Sequence, residues 1–523
     1  MTNQILQTFS KKSSILTSVL LMLMISSQLA ASQTVKGVCT YSNDSKNGYT
    51  CTLTNVTILN STDILEITGD HFQGHADVDV TSVIFDSNKI AFFNGEIMRK
   101  FSNLRHIHMV AQGLKEFSHF AFDVCPNLEE LVIGDDKVKQ FPTGMLKMCA
   151  NLRYFSVFGY ELTYLTEDIF GETKNLEELR ISNTKLTSIP GNLLKNMENL
   201  RIFVATQNLI KLLNPNFFIN VRNLQELDLS KNELNNSQNI IDTLNGHISL
   251  VKLDLSYNDF SNFDFTFFSQ FLELKELVVG SKVGPELTKI SWQSLPASLT
   301  DLTVYEVGEN LPINMCSQLI ALKSLAVTGY GIKDIHKDTF KSLGHLEMLS
   351  LQSTKVKALD PELFVPFTSL SDLNLDYNFL KELPLGIFTP LVNIGSKSEY
   401  HGISMFVNNL KRLNANFFGK HPQMRSFNFS SNLLEEIERG IFSKFHSNLT
   451  RVGLQANICV DRQFINVSNL DGDETLKLCF DNWAGKTIPT TTPSGCGGIF
   501  KKIEVLCIFI VGFVLALINF NGK

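Results

Sequence analysis

The chain has 523 residues, 44% of them apolar and only 19% charged, with a formal net charge of −6. Mild acidity without basic clusters argues against a nucleic-acid partner. A globular chain this long would ordinarily divide into several domains, yet no low-complexity or coiled-coil segment is visible.

In chain order, Lys11 and Lys12 precede an apolar run over residues 15–25, then the small residues Ala30, Ala31 and Ser32. This pattern predicts a secretory signal peptide over residues 1–32. Residues 33–79, with Cys39 and Cys51, read as an N-terminal cap. From Val80 one phrase recurs. It is clearest in LQELDLSKNEL from Leu224, LVKLDLSYNDF from Leu250, LSDLNLDYNFL from Leu370 and LTRVGLQANIC from Leu449. First positions fall at Val80, Leu104, Leu128, Leu152, Leu176, Leu200, Leu224, Leu250, Leu274, Leu299, Leu322, Leu346, Leu370, Ile394, Met424 and Leu449. Most steps have the length of the step from Leu104 to Leu128, and only the step from Ile394 to Met424 is long. A period this short cannot bury its own apolar face and must stack on its neighbours.

The expected fold is therefore an α/β solenoid of sixteen repeats over residues 80–458. Its inner sheet is parallel, its outer side holds irregular or short helical turns, and both ends are capped. In each unit the apolar–polar–apolar alternation at positions 4 to 6 predicts a short strand with one face in the core. Six residues before most first positions stands a large apolar residue, including Phe122, Phe170, Phe218, Phe268, Phe340, Phe364, Phe388 and Phe418. Locked to the repeat, this stripe reads as a core spine rather than a ligand box. Position 9 holds Asn at 88, 208, 232, 258, 378, 408, 432 and 457, where its amide can satisfy backbone groups at the turn. Tyr160, Thr184, Lys282, Tyr330 and Thr354 replace it elsewhere. Two distant stretches, VFGYELTYL from Val157 and VTGYGIKDI from Val327, share a local pattern. Block duplication and convergence on one consensus both account for it.

Residues 459–493 read as a C-terminal cap and short stalk. Residues 494–523 hold small residues from Ser494, the charged residues Lys501, Lys502 and Glu504, and an apolar run over 505–518. That run is short for a single span, and the lysines would lie on the wrong side of it. A glycosylphosphatidylinositol-anchor signal cut at Ser494 or Gly495 removes both faults. A short spanning helix is the alternative.

Nine cysteines in a secreted chain predict disulfides. Cys39 and Cys51 flank the start of the stack, and Cys459 and Cys479 flank its end. Cys125 and Cys149 occupy equivalent positions in adjacent repeats, within bonding reach. Cys316 stands in the spine and reads as a buried free thiol. Seven sequons, at Asn43, Asn55, Asn60, Asn235, Asn428, Asn448 and Asn466, are candidate glycosylation sites. Asn428 falls on the inner face.

The stretch LSDLNLDYNFLKELPLGIFTPLVNI resembles the typical extracellular leucine-rich repeat family, and the resemblance extends over most of the chain. The opening GYTCTLTNVTI and the following VIFDSNKIAFFNGEIMRKFSNLRHI are similar to secreted insect leucine-rich repeat proteins, those of mosquito immunity included. Insect adhesion proteins such as chaoptin and connectin share the repeat-plus-lipid-anchor plan. The resemblance implies a recognition role with no cofactor.

Positions 3, 5 and 7 of each strand are expected on the concave face. Val110, Val132, Tyr154, Phe158, Ile202 and Val204 form an apolar zone there. Asp228, Asp254, Asp301, Tyr305, Asp372, Asn374 and Asp376 form a polar, acidic one. Such side-by-side apolar groups make a patch that a protein or peptide ligand can cover, a second copy of the chain included. His106 and His108 lie near Glu130, but three ligands without a supporting shell do not make a metal site. Neither a nucleophile elbow nor a phosphate loop is present, so an enzyme is not expected. Two classes remain: a tethered cell-surface recognition or adhesion protein, and a soluble secreted factor of innate immunity.

Overall fold

The structure, a computed structural model, describes residues 32–484 except 111, 135–136, 160, 172, 261–262, 282–286, 288–289, 398–401 and 448. The expected signal peptide, stalk and anchor signal, Tyr160, Lys282 and the Asn448 sequon lie outside the described residues.

All sixteen repeats contribute a strand to one sheet. Neighbouring strands pair in parallel, from Ser82–Phe85 and His106–Val110 through to Ser426–Asn428 and Leu449–Gly453. Equivalent positions pair: Leu227 opposes Leu253, which opposes Leu277. Each of these leucines is fully buried. The outer side is mostly turns and short 3-10 segments, with helices only at Glu96–Lys100, Ser237–Leu244 and Lys477–Trp483 among the described residues. Strands spaced about 4.8 Å apart on one side, against bulkier turns on the other, make the stack a curved solenoid.

The spine residues are buried as expected. Their rings touch in succession only along Phe364, Phe388 and Phe418, at centroid distances of 6.1 and 5.2 Å. Elsewhere the spine position alternates with Leu146, Leu194 and Leu244, which separate the rings. Cys316 sits there as a buried free thiol, its pKa pushed up to about 12 by burial.

The asparagines at position 9 form a ladder. Asn232 Nδ2 donates to the carbonyls of Ala205 and Leu229 at 2.8 and 3.0 Å, while its Oδ1 accepts the Ile210 amide at 3.1 Å. Asn258 repeats this pattern one turn on. The residue before each rung turns left-handed, as at Lys231 (φ 55°) and Tyr377 (φ 56°). Where Thr replaces Asn, at Thr184 and Thr354, its amide and hydroxyl both donate to the next asparagine, Asn208 or Asn378. Each threonine rung lies one repeat beyond one of the two similar stretches, so both stretches lead into the same local structure. Gln112 fills another rung, accepting the Asn88 amide at 3.1 Å.

One strand lies later than the repeat starting at Ile394 predicts. Ile394 is buried and Gly395 donates to Ser371, as the first two positions should. The strand itself, however, is Ile403–Ser404, paired with Leu373 and Asn374. The extra residues of this long step therefore enter between positions 2 and 3, not on the outer side. Asn408 still fills its rung, because register is counted from the strand.

Both caps extend the sheet. Gly48–Thr54 pairs in parallel with Ser82–Phe85, and Thr34–Asp44 lies antiparallel to it. At the far end Gln463–Val467 runs antiparallel to Leu449–Gly453. The three expected disulfides are present, Cys39–Cys51, Cys125–Cys149 and Cys459–Cys479, with Cα separations of 5.1, 4.9 and 5.1 Å.

Candidate recognition face

Strand alternation places positions 4 and 6 in the core and positions 3, 5 and 7 on the inner face. Val110, Val132, Tyr154, Phe158 and Ile202 are half-buried there. Val204 is not available: it is only 3% exposed, packed in by its neighbours, which corrects its place in the apolar zone. The Phe158 ring lies over Gly134 of the preceding strand, where any Cβ would collide with it. That glycine leaves the space the ring occupies.

The register adds residues that the repeat pattern did not single out. Position 3 reads Glu130, Tyr154, Glu178, Ile202, Glu226, Lys252, Glu276 and Asp301 across adjacent strands. Arg180 sits at position 5 between Ser156 and Val204 and pairs with Glu178 of its own strand. Tyr257 meets Tyr305 at 5.0 Å between ring centroids. Tyr257 was missed because it stands at the left-handed position 8 (φ 55°), outside the strand alternation. Listing every inner position strand by strand reaches the position 3 residues and Arg180; nothing in the strand alternation points to Tyr257.

The acidic zone has a structural side. Asp228, Asp254 and Asn374 each accept the backbone amide of position 7, from Ser230, Ser256 and Asp376, all at 2.9 Å. Asn428 accepts the Ser430 amide in the same way at 3.0 Å. These are turns closed by short polar side chains. Asp376 accepts from Ser404 Oγ at 2.6 Å and the Phe406 amide at 2.7 Å. Burial, with Asp228 alongside, pushes the Asp254 carboxyl up to about 6, and burial does the same to Asp376. Asp301 is exposed and Asp372 half-buried.

His108 donates to Glu130 at 2.7 Å, which holds that carboxyl below its usual range; burial holds His106 low. Among the described residues no group of three or more His, Cys, Asp or Glu side chains is arranged to hold a metal ion. On the flank, a second ladder runs through Asn127, Asn151, Asn175 and Asn199, each donating to a carbonyl of the preceding repeat.

A model described as a BspA type leucine rich repeat region matches residues 65–201, 115–242, 149–275 and 396–471. A second, described as leucine rich repeat, matches residues 320–380. Together with the stacked parallel strands and asparagine ladder, they define the class: the chain belongs to the leucine-rich repeat proteins. Among solved structures it is similar to a leucine-rich repeat protein of Leptospira interrogans, at 19% identity and a TM-score of 0.54, covering 70% of this chain and 89% of that one. It is also similar to TLR13 in its complex with ssRNA13, at 22% identity and a TM-score of 0.51, covering 68% of this chain and about half (51%) of that one. At these identities the likeness is one of fold. No curated protein matches the chain.

Proposed function

We propose that this chain is a cell-surface recognition or adhesion protein that docks a protein or peptide partner, homophilic pairing included, on its inner face. One observation carries the reading. Core positions are monotonous leucine, isoleucine, valine and phenylalanine, whereas inner positions change chemistry from strand to strand. The scaffold is thus separate from a varied, partly apolar surface, as a docking face requires. The repeat-plus-anchor plan of the insect adhesion proteins supports the same role, with a lipid at Ser494 or Gly495. Among the described residues no helix is long and apolar enough to cross a membrane.

The test is binding of the labelled chain to cells. Tyr154→Asp with Ile202→Asp should abolish binding without changing the melting temperature. Leu272→Asp, at a residue 72% exposed in the turn before its strand, should leave it intact. Equal retention by both variants would sink the inner-face reading. Tethering is tested separately: phosphatidylinositol-specific phospholipase C should release the protein from expressing cells. Peptides containing Cys507 in the mature membrane-bound protein would replace the anchor with a spanning helix. Accumulation of the chain in the medium without treatment would favour the soluble immune factor.

A further inference from the structure

We propose that Asn466 carries an N-linked glycan that closes the open edge of the sheet at the C-terminal cap. The inference rests on the secretory reading above, but on none of the inner-face argument.

A sheet has two edges, and an uncovered edge is a template for pairing with another chain. At the N-terminal end the edge strand is Ile64–Thr68. There the chain covers itself: the Glu96 carboxylate accepts the Leu65 amide, and Asn94 Nδ2 donates to the Asp63 carbonyl at 3.0 Å. At the C-terminal end the edge strand is Gln463–Val467. Among the described residues it pairs only with Leu449–Gly453, and no side chain bonds its outer edge. The strand also exposes Ile465 (60%), an apolar side chain beside unpaired backbone. That combination invites edge-to-edge association.

The sequon sits within this strand, and local geometry presents it. Phe464 is buried, and Ile465 opposes Arg451 on the inner side. Strand alternation would point Asn466 back into the core. Its φ of 53° breaks the alternation, and pairing skips from Ile465 to Val467. Asn is among the few residues that adopt this left-handed conformation readily. The result is that Asn466, which would accept the sugar, and Ser468, which completes the sequon, are exposed while Val467 packs against the core. A hydrated sugar there leaves no room for a second strand at about 4.8 Å.

The experiment uses the full chain expressed in eukaryotic secretory cells and extracted in mild detergent. Enzymatic deglycosylation in heavy-oxygen water marks each occupied asparagine for peptide mapping. Ser468→Ala removes the acceptor sequence while keeping Asn466 and its turn. We expect a mark at residue 466, a monomer in light scattering, and loss of monomer to dimers and larger species in Ser468→Ala. Adding Ile465→Lys to that variant should restore the monomer, because an edge charge replaces the sugar. Asn235→Gln should leave the monomer unchanged. Sugar on other sequons but not on Asn466, or a Ser468→Ala protein that stays monomeric, overturns the proposal alone. Sugar on none of the sequons overturns the secretory reading and this proposal with it.

Discussion

At the scale of single residues, the ladder asparagines carry more than their side-chain volume suggests. Asn232 is buried and satisfies two carbonyls and one amide, groups that have no water to fall back on. Replacing it with Ala strands them, at a cost of about 2–4 kcal/mol. Leu227→Ala or Leu373→Ala should cost a similar 2–5 kcal/mol, roughly, through cavity formation. Near-neutral denaturation midpoints for these variants would show that the register is wrong. Buried titratable groups give a second test. Asp254 is pushed up to about 6, so between about pH 4 and 6 the native chain holds a proton that the unfolded chain has released. Stability from this group therefore falls as pH rises through that window. Asp254→Asn should melt higher than the parent at pH 7, and the gain should vanish near pH 4. His247 is pushed down to about 4 by burial, with Arg222 adding to the shift, so the sign reverses. There the unfolded chain gains the proton first, and stability falls on acidification below about 6.5. His247→Leu should therefore gain relative to the parent as pH drops. A pH-independent difference in either melting series would contradict the assignment.

At the scale of elements, most described repeats turn at a left-handed residue, and the side chains there differ in how well they tolerate it. Val407 is β-branched at φ 55°, where such residues are strained. Val407→Asn keeps the turn and should stabilise the chain by about 1 kcal/mol; a lower melting temperature would mean that its packing outweighs the strain. The Cys125–Cys149 bond ties two adjacent repeats at a sequence separation of 24. Serine at both positions should cost about 3 kcal/mol, seen as a lower denaturant midpoint.

At the scale of the molecule, a stack in which each repeat touches only its neighbours is as stable as its ends allow. The C-terminal cap seals the last repeat through Cys459–Cys479, the buried Phe480 and an Asn482 bond to the Glu435 carbonyl at 2.9 Å. Opening it with Cys479→Ser should speed amide exchange in Leu449–Gly453 and Ser426–Asn428 first. The central strand Glu178–Ser182 should be unaffected. Uniform acceleration along the chain would mean that the solenoid unfolds as one unit instead.

The repeat period alone determined the architecture, the strand register, the ladder asparagines and the Cys125–Cys149 pair; place at the two ends of the stack implied the other two disulfides. The physical reason is that every turn meets the same two neighbours, so equivalent sequence positions become spatial neighbours without any long-range packing choice. Where the period held, as at Leu227, Asn232 and Cys125, position in the sequence was position in space. It ran out where identity does not fix depth. Tertiary structure decided that Val204 is buried while Val132 is not, because exposure on the inner face depends on the side chains of the flanking strands, Arg180 and Asp228 beside Val204. It decided that the extra residues after Ile394 enter before the strand. It brought Tyr257 against Tyr305 through a left-handed turn, and tied Asp254 and Asn374 into turns. It turned Asn466 out of the core, because one φ angle can reverse what strand alternation implies.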